Sequence, residues 1–179
     1  MSKPATTKIL KNPNTAIFDK EIIHWADYYK VPRSLVKAVI KKESNFNPWA
    51  IRVERGFLKR YYRGILNLVK STVSKSDNRW LRYPDIFSCS YGLMQLMLPV
   101  AIELGFNFEY PTELLNPSTN IRYGCKKLYL LYERYGNWED AISAYNQGNN
   151  RKLNGKYRNQ HYVDSVLKFW KEYEKYGLI

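Results

Sequence analysis

Glu43 is a glutamate at a position where a carboxyl group could donate and accept a proton. It lies in the run Lys42-Glu43-Ser44-Asn45-Phe46-Asn47-Pro48. A predicted helix should end near Ser44, because Asn47-Pro48 cannot continue it. The carboxyl end of a helix carries partial negative charge, and apolar surroundings disfavour an ionised carboxyl, so both effects raise its pKa. A glutamate that stays protonated near neutral pH can donate a proton and, once ionised, accept one. Taken alone, however, a glutamate at a helix end is usually an ordinary solvated acid.

Two further motifs contain residue types that can bind a ligand or shape a cleft. Gly92-Leu93-Met94-Gln95 combines a glycine, which permits close backbone approach, with a methionine of adaptable shape. Gln95 can donate and accept hydrogen bonds, either to a ligand or to Glu43. Ala144-Tyr145-Asn146 ends another predicted helix. The ordinary interpretations are a turn glycine followed by core residues, and a packed tyrosine followed by an asparagine helix cap.

The order of the three motifs along the chain is more specific than any one of them. Together they resemble the soluble lytic transglycosylase domain, a lysozyme-like family that cleaves peptidoglycan. The resemblance covers about residues 18–170 and includes further short matches at Asn47-Pro48, Leu104-Gly105, Asn116-Pro117, Asn120-Ile121, Gly124 and Gln147-Gly148.

The resemblance implies that Glu43 is the catalytic residue of a peptidoglycan lytic transglycosylase. Glu43 would protonate the oxygen between N-acetylmuramic acid and N-acetylglucosamine and then take a proton from the sugar's own 6-hydroxyl, which closes a 1,6-anhydro ring. The substrate's N-acetyl group would replace a second carboxylate, as in substrate-assisted glycosidases. In the family the motif tyrosine lies near the catalytic carboxyl, so Tyr145 is expected to help place it. The expected substrate-binding residues are Ser44, Ser90, Gly92, Met94, Gln95, Tyr145 and Asn146.

The chain departs from the family's pattern between residues 49 and 89, a stretch longer than the loop of compact members. We expect an insertion there that lines the cleft. Its Glu54 is a candidate substrate contact and, in an alternative mechanism, the second carboxylate of a muramidase that uses water. The more ordinary interpretation pairs Glu54 with Arg52 or Arg55. Aromatic residues near the cleft region are open to both sugar stacking and ordinary packing: Trp49, Tyr61, Tyr62, Trp80 and Tyr83.

The elements that must position these residues are predicted to be helices. Apolar residues recur at helical spacing across about 17–29, 32–44, 99–104, 117–135, 138–146 and 159–176. A further helix is predicted across about 56–70, followed by a polar stretch at 71–78, and no clear strand pair is visible. The predicted fold is mainly α, a lysozyme-like single domain over 17–179 with an insertion (49–89) after the catalytic helix. Residues 1–16 are expected to form a loose lead-in.

The formal net charge of +13 over 179 residues favours a polyanionic partner. The basic residues are spread along the chain without a long Lys/Arg arm, which argues against a base-reading element. Nucleic acid and an anionic bacterial wall are both candidates on charge alone. The resemblance implies peptidoglycan glycan strands as the partner, and we expect no specific nucleic acid and a monomer. A wall-binding or nucleic-acid-binding module with an inactive site is the competing class, and the intact motifs argue against it.

The cysteines and histidines lack the spacing of a metal site, so neither a metal nor another cofactor is expected. They are Cys89, Cys125, His24 and His161. The two cysteines are more often free than paired in such a chain. The N-terminus lacks the apolar segment of a signal peptide, and no stretch approaches a membrane span. We therefore expect a protein made in the cytoplasm that reaches the cell wall through phage lysis, a virion or specialised secretion.

Overall fold

Six helices carry the fold in the part of the chain described by the computed structural model, which is residues 16–54, 56–57, 60–61, 63–64, 67, 84–107 and 109–177. They are α1 Asp19–Tyr29, α2 Arg33–Ser44, α3 Leu98–Glu103, α4 Pro117–Tyr135, α5 Trp138–Gln147 and α6 Gln160–Lys175. Short 3-10 helices lie at Pro84–Ser88 and Pro111–Leu115. The prediction of a mainly α fold is confirmed.

The ends of α4 and α5 follow the capping residues in the sequence. The side chain of Asn116 accepts a hydrogen bond from the Thr119 N–H, and that of Asn137 accepts one from the Asp140 N–H. Gly136 ends α4 with a φ of 73°, in the left-handed region that glycine adopts at low cost. The predicted start and end of the long helix are therefore confirmed.

Helix α2 forms the centre of the core. Its residues Leu35, Val36, Ala38, Val39 and Ile40 are fully buried. The helix packs most extensively against α6 and also contacts α1, while α4 packs against α1 and α5. Because α2 is enclosed along its length, the side chains in its last turn project from a rigid support.

Two small antiparallel sheets correct the expectation that the chain has no strand pair. The first has the order β1-β2-β3, with β1 Ile51–Val53, β2 Cys89–Tyr91 and β3 Leu96–Met97. The second pairs β4 Lys152–Leu153 with β5 Lys156–Tyr157. The prediction was wrong because strands of two or three residues are too short to show an alternating hydrophobic pattern.

Strands β1 and β2 bring the two ends of the stretch 49–89 together. Arg52 lies opposite Ser90, and Ser90 lies opposite Met97 on the other side. Several predictions for this stretch and for the N-terminus lie wholly or partly outside the described residues: the helix at 56–70, the polar stretch at 71–78, Tyr62, Trp80, Tyr83 and the lead-in at 1–16.

Cys89 and Cys125 are both buried and free. Among the described residues, no helix combines the length and apolar character that crossing a membrane requires.

Candidate active site

Glu43 lies in the last turn of α2, with its side chain only 5% exposed. The helix stops directly after it, because Asn45 and Phe46 both have positive φ, at 51° and 65°. The Ser44 hydroxyl donates to the Leu93 carbonyl at 2.8 Å and so attaches the end of α2 to the second motif. The carboxyl group therefore has a fixed place and little contact with water.

Tyr162, on α6, is the hydrogen-bond partner of this carboxyl. Its hydroxyl donates to Glu43 Oε1 at 2.7 Å. The sequence analysis missed this residue, which lies 119 positions further along the chain. The available signal was its place beside Val163 on the inward face of a predicted helix, and that signal does not distinguish it from a core aromatic.

Three cations surround the same carboxyl and oppose the effect of burial. Burial raises the pKa of Glu43, while the Tyr162 hydrogen bond and the charges of Arg52, Lys127 and Lys42 lower it. Arg52 Nη2 lies 4.0 Å from Glu43 Oε2. Burial is the largest of these effects, so the carboxyl keeps its proton to higher pH than an ordinary glutamate.

A cleft of about 550 Å³ opens in front of Glu43. Six predicted site residues line it: Glu43, Glu54, Ser90, Gln95, Tyr145 and Asn146. The remaining lining residues were not predicted as site residues: Arg52, Gly56, Phe57, Arg60, Tyr61, Met97, Val100, Lys127, Gln147 and Gly148. Tyr61 is half exposed and thus available for stacking, whereas Trp49 is strongly exposed and is not among the lining residues.

Ser44, Gly92 and Met94 are not among the residues that line the cleft, and their contact with substrate stays a prediction. The Ser44 hydroxyl is engaged with backbone, as described above. Met94 is fully buried and packs on Gly124, where an added Cβ would lie 2.1 Å from the Met94 sulfur. Met97, three residues later, supplies a methionine to the cleft instead. The motif turns sharply, and this turn directs Met94 into the core.

Gly92 acts through its backbone. Its φ is 71°, and an added Cβ would lie 2.6 Å from both Asn120 Nδ2 and the Leu114 carbonyl. The buried Asn120 amide donates to the Tyr91 and Leu114 carbonyls and accepts from the Met94 N–H at 2.7 Å. This single side chain of α4 therefore positions the whole turn.

Gln95 and Ser90 lie at the cleft wall with their polar groups bonded within the protein. Gln95 Nε2 donates to the Ala50 and Gly92 carbonyls at 3.0 and 2.9 Å, and its Oε1 accepts from the Ser90 hydroxyl at 3.0 Å. A hydrogen bond between Gln95 and Glu43 was one predicted alternative, and the Gln95 amide does not make it. Its bonds instead connect the turn to the first residues of the insertion.

Tyr145 is fully enclosed, and its hydroxyl donates to the Met94 carbonyl at 2.8 Å. The hydrogen bond to Glu43 comes from Tyr162, so the expectation that Tyr145 helps to place Glu43 stays a prediction. Asn146 is exposed at the cleft, and its Oδ1 accepts from Asn159 Nδ2 at 3.1 Å.

Glu54 pairs with Arg52, which agrees with the more ordinary interpretation of this residue. Arg52 Nε lies 2.7 Å from Glu54 Oε1, and the Glu54 side chain is 35% exposed. Arg52 thus lies between the two carboxylates of the cleft. Among the described residues, no group of three or more His, Cys, Asp or Glu side chains could hold a metal ion.

A curated protein and a domain profile match the chain. Protein IpgF of Shigella sonnei is 27% identical over 124 residues, which cover 69% of this chain and 62% of that protein. The chain thus matches less than two thirds of that relative's length. No solved structure matches the chain with statistical significance. The profile of the transglycosylase SLT domain matches residues 20–167. That match covers most of the chain, and the chain belongs to the transglycosylase SLT domain family.

Proposed function

We propose that the chain is a peptidoglycan lytic transglycosylase in which Glu43 acts as acid and then as base. The observation that carries the proposal is an almost fully enclosed carboxyl in a cleft, with its pKa raised by burial. Family membership supports the same substrate class. The partner is the glycan strand of the cell wall, on which the protein acts as a monomer.

The proposed reaction needs one proton donor and no water. The protonated Glu43 carboxyl gives its proton to the oxygen that links N-acetylmuramic acid to N-acetylglucosamine, and the C1–O bond breaks. The Glu43 carboxylate then takes the proton of the muramic acid 6-hydroxyl, whose oxygen bonds to C1. The products are a 1,6-anhydro-muramic acid end and a free 4-hydroxyl on N-acetylglucosamine, and Glu43 is protonated again.

The groups around Glu43 fit both halves of this cycle. Burial keeps the proton on the carboxyl before reaction, and the Tyr162 hydroxyl with the nearby cations stabilises the carboxylate that follows. Arg52, Arg60 and Tyr61 also line the cleft and are available for the sugar's polar groups and faces.

The test is the clearing of purified wall sacculi by wild type and by Glu43→Gln. We expect the turbidity of the sacculi to stay essentially unchanged with Glu43→Gln, because an amide cannot donate a proton at neutral pH. Glu133→Gln, at an exposed position of α4, is the matched control and should keep full activity. Equal clearing by wild type and Glu43→Gln would contradict the catalytic role.

A muramidase is the second candidate, because Glu54 lines the same cleft as Glu43. In that mechanism Glu54 would help a water molecule to attack, and the product would carry a reducing end. Mass analysis of the released glycans separates the two reactions, since the anhydro product is lighter by one water. We expect the anhydro product. Loss of turnover in Glu54→Gln with retention in Glu54→Asp would favour the two-carboxylate mechanism.

A further inference from the structure

Lys127 is a cation in the wall of the cleft that the motifs did not indicate. It belongs to α4, and it lines the cleft together with Glu43 and Tyr145. We propose that Lys127 is a positioning residue, which holds a fixed positive charge at the Glu43 carboxyl and stabilises its ionised form between the two proton transfers. This inference rests on the proposed function of Glu43.

The ammonium group of Lys127 is held in place by Tyr145. Lys127 Nζ donates to the Tyr145 carbonyl at 2.8 Å and lies 4.0 Å from the centre of the Tyr145 ring. The carbonyls in the last turn of a helix have no partner further along the helix, so a lysine can bond them and offset the partial negative charge there. The end of α5 therefore fixes the position of this charge.

The ionisable groups that face Glu43 come from five elements, and their charges are not equally available. They are Lys42 (α2), Arg52 (β1), Lys127 (α4), Tyr145 (α5) and Tyr162 (α6). The Arg52 charge is offset by Glu54 at 2.7 Å. Lys42 reaches the Ser165 hydroxyl at 3.3 Å and is partly exposed. Lys127 bonds a neutral carbonyl, so its charge is uncancelled by any acid other than Glu43 among the described residues.

The proton affinities of the two groups are coupled in both directions. Burial lowers the pKa of Lys127 to about 8, and the Glu43 charge raises it. The Lys127 charge in turn lowers the pKa of Glu43 against the larger effect of burial. The Lys127 ammonium and the Glu43 carboxylate therefore each favour the charged form of the other.

A fixed cation at this place supplies electrostatic stabilisation without reorganisation. In a cleft shielded from water, a charge pair interacts more strongly than it does in solvent. A preplaced charge also costs nothing to orient when the carboxylate forms. Removal of the charge should therefore weaken Glu43 as an acid and leave binding of the glycan largely unchanged.

The experiment compares Lys127→Met with Lys126→Met. Both substitutions remove a charge from α4 and a bond to a backbone carbonyl, since Lys126 Nζ donates to the Leu104 carbonyl at 2.7 Å. Titration of the Glu43 carboxyl by 13C NMR should show a higher pKa in Lys127→Met and a wild-type value in Lys126→Met. On a soluble glycan, Lys127→Met should lower kcat about tenfold, less than removal of a donor that touches the reacting atoms. Its KM should change little, and the alkaline limb of its pH profile should move to higher pH.

An unchanged Glu43 titration in folded Lys127→Met would overturn the proposal, whatever happens to activity. The NMR measurement needs no turnover, so it separates a failure of this inference from a failure of the proposed function. Lys127→Arg retains the charge and should keep the Glu43 titration close to that of wild type. If Lys127→Met does not fold, Lys127→Gln takes its place, and an equal Glu43 titration in Lys127→Gln and Lys127→Arg would also overturn the proposal.

Discussion

Glu43 is a carboxyl held between opposing influences. Enclosure at the end of α2 favours the neutral acid, while a hydroxyl and three cations favour the carboxylate. A group that must first give up a proton and then take one back needs both forms within reach. Arg52 lies between Glu43 and Glu54, so a cation separates these two carboxyl groups of the cleft.

Tyr162→Phe tests the hydrogen bond at this acid. The bond favours the carboxylate, so its loss should raise the pKa of Glu43 further. Because a raised pKa keeps the acid protonated to higher pH, the alkaline limb of the activity profile should move to higher pH. The maximum rate should fall about tenfold, as expected for loss of a hydrogen bond to a charged group. The measurement is kcat against pH.

Tyr123→Phe is the matched control for this substitution, since its hydroxyl donates to the Gly105 carbonyl at 3.2 Å. It should leave both the rate and the profile as they are in wild type. A profile for Tyr162→Phe that coincides with that of Tyr123→Phe would show that the hydrogen bond has no part in the proton transfers.

At the scale of elements, the turn at residues 92–95 connects the helices that form the site. Ser44 attaches α2 to it, Asn120 attaches α4, and Tyr145 attaches α5. Each contact involves a backbone group of the turn, so the residue types of the turn matter mainly for its conformation. Two of its residues, Gly92 and Met94, are not among those that line the cleft.

Gly92→Ala should destabilise the fold by about 3 kcal/mol. The alanine would be strained in the left-handed backbone conformation, and its Cβ would overlap with Asn120 and Leu114. Gly136→Ala is the control, since its φ of 73° is similar and an added Cβ meets nothing within 4 Å. That substitution should cost only about 1 kcal/mol. Chemical denaturation measures both free energies of unfolding. Equal losses in the free energy of unfolding would show that overlap with the neighbours of Gly92 destabilises the fold no further than the backbone strain does.

At the scale of the whole molecule, the site carries a cost in folding free energy. The folded pKa of Glu43 lies above its ordinary value of 4.5. Between those two pKa values the folded state binds more protons than the unfolded state, so the free energy of unfolding falls as pH rises. Below pH 4.5 the carboxyl is protonated in both states and the cost vanishes.

Glu43→Gln should therefore be more stable than wild type at pH 7, and the difference should shrink towards zero as pH falls below 4.5. The amide can still accept the Tyr162 hydrogen bond, so no packing is lost. Thermal unfolding midpoints measured from pH 3 to pH 8 give the difference. Glu133→Gln should show no comparable trend, because its side chain is exposed. A wild type more stable than Glu43→Gln at pH 7 would contradict the role of burial.

The sequence by itself determined the helices and the acid. Helical spacing, the caps Asn116 and Asn137, and Gly136 depend on neighbouring residues, so they predict local structure directly. The run around Glu43 predicted an acid at a helix end, and only the order of three motifs along the chain predicted a functional role for it. The small sheets escaped prediction because two or three residues carry no visible alternation.

Only the tertiary structure decided which side chains surround that acid. Tyr162 and Lys127 lie on helices far from Glu43 in sequence, and both look like ordinary helix residues until α6 packs against α2 and α4 packs against α1 and α5. The same packing directs Met94 into the core and leaves Ser90, Gln95 and Asn146 at the cleft. Burial and charge at a site are sums over neighbours from several elements, and those neighbours exist only once the elements have packed.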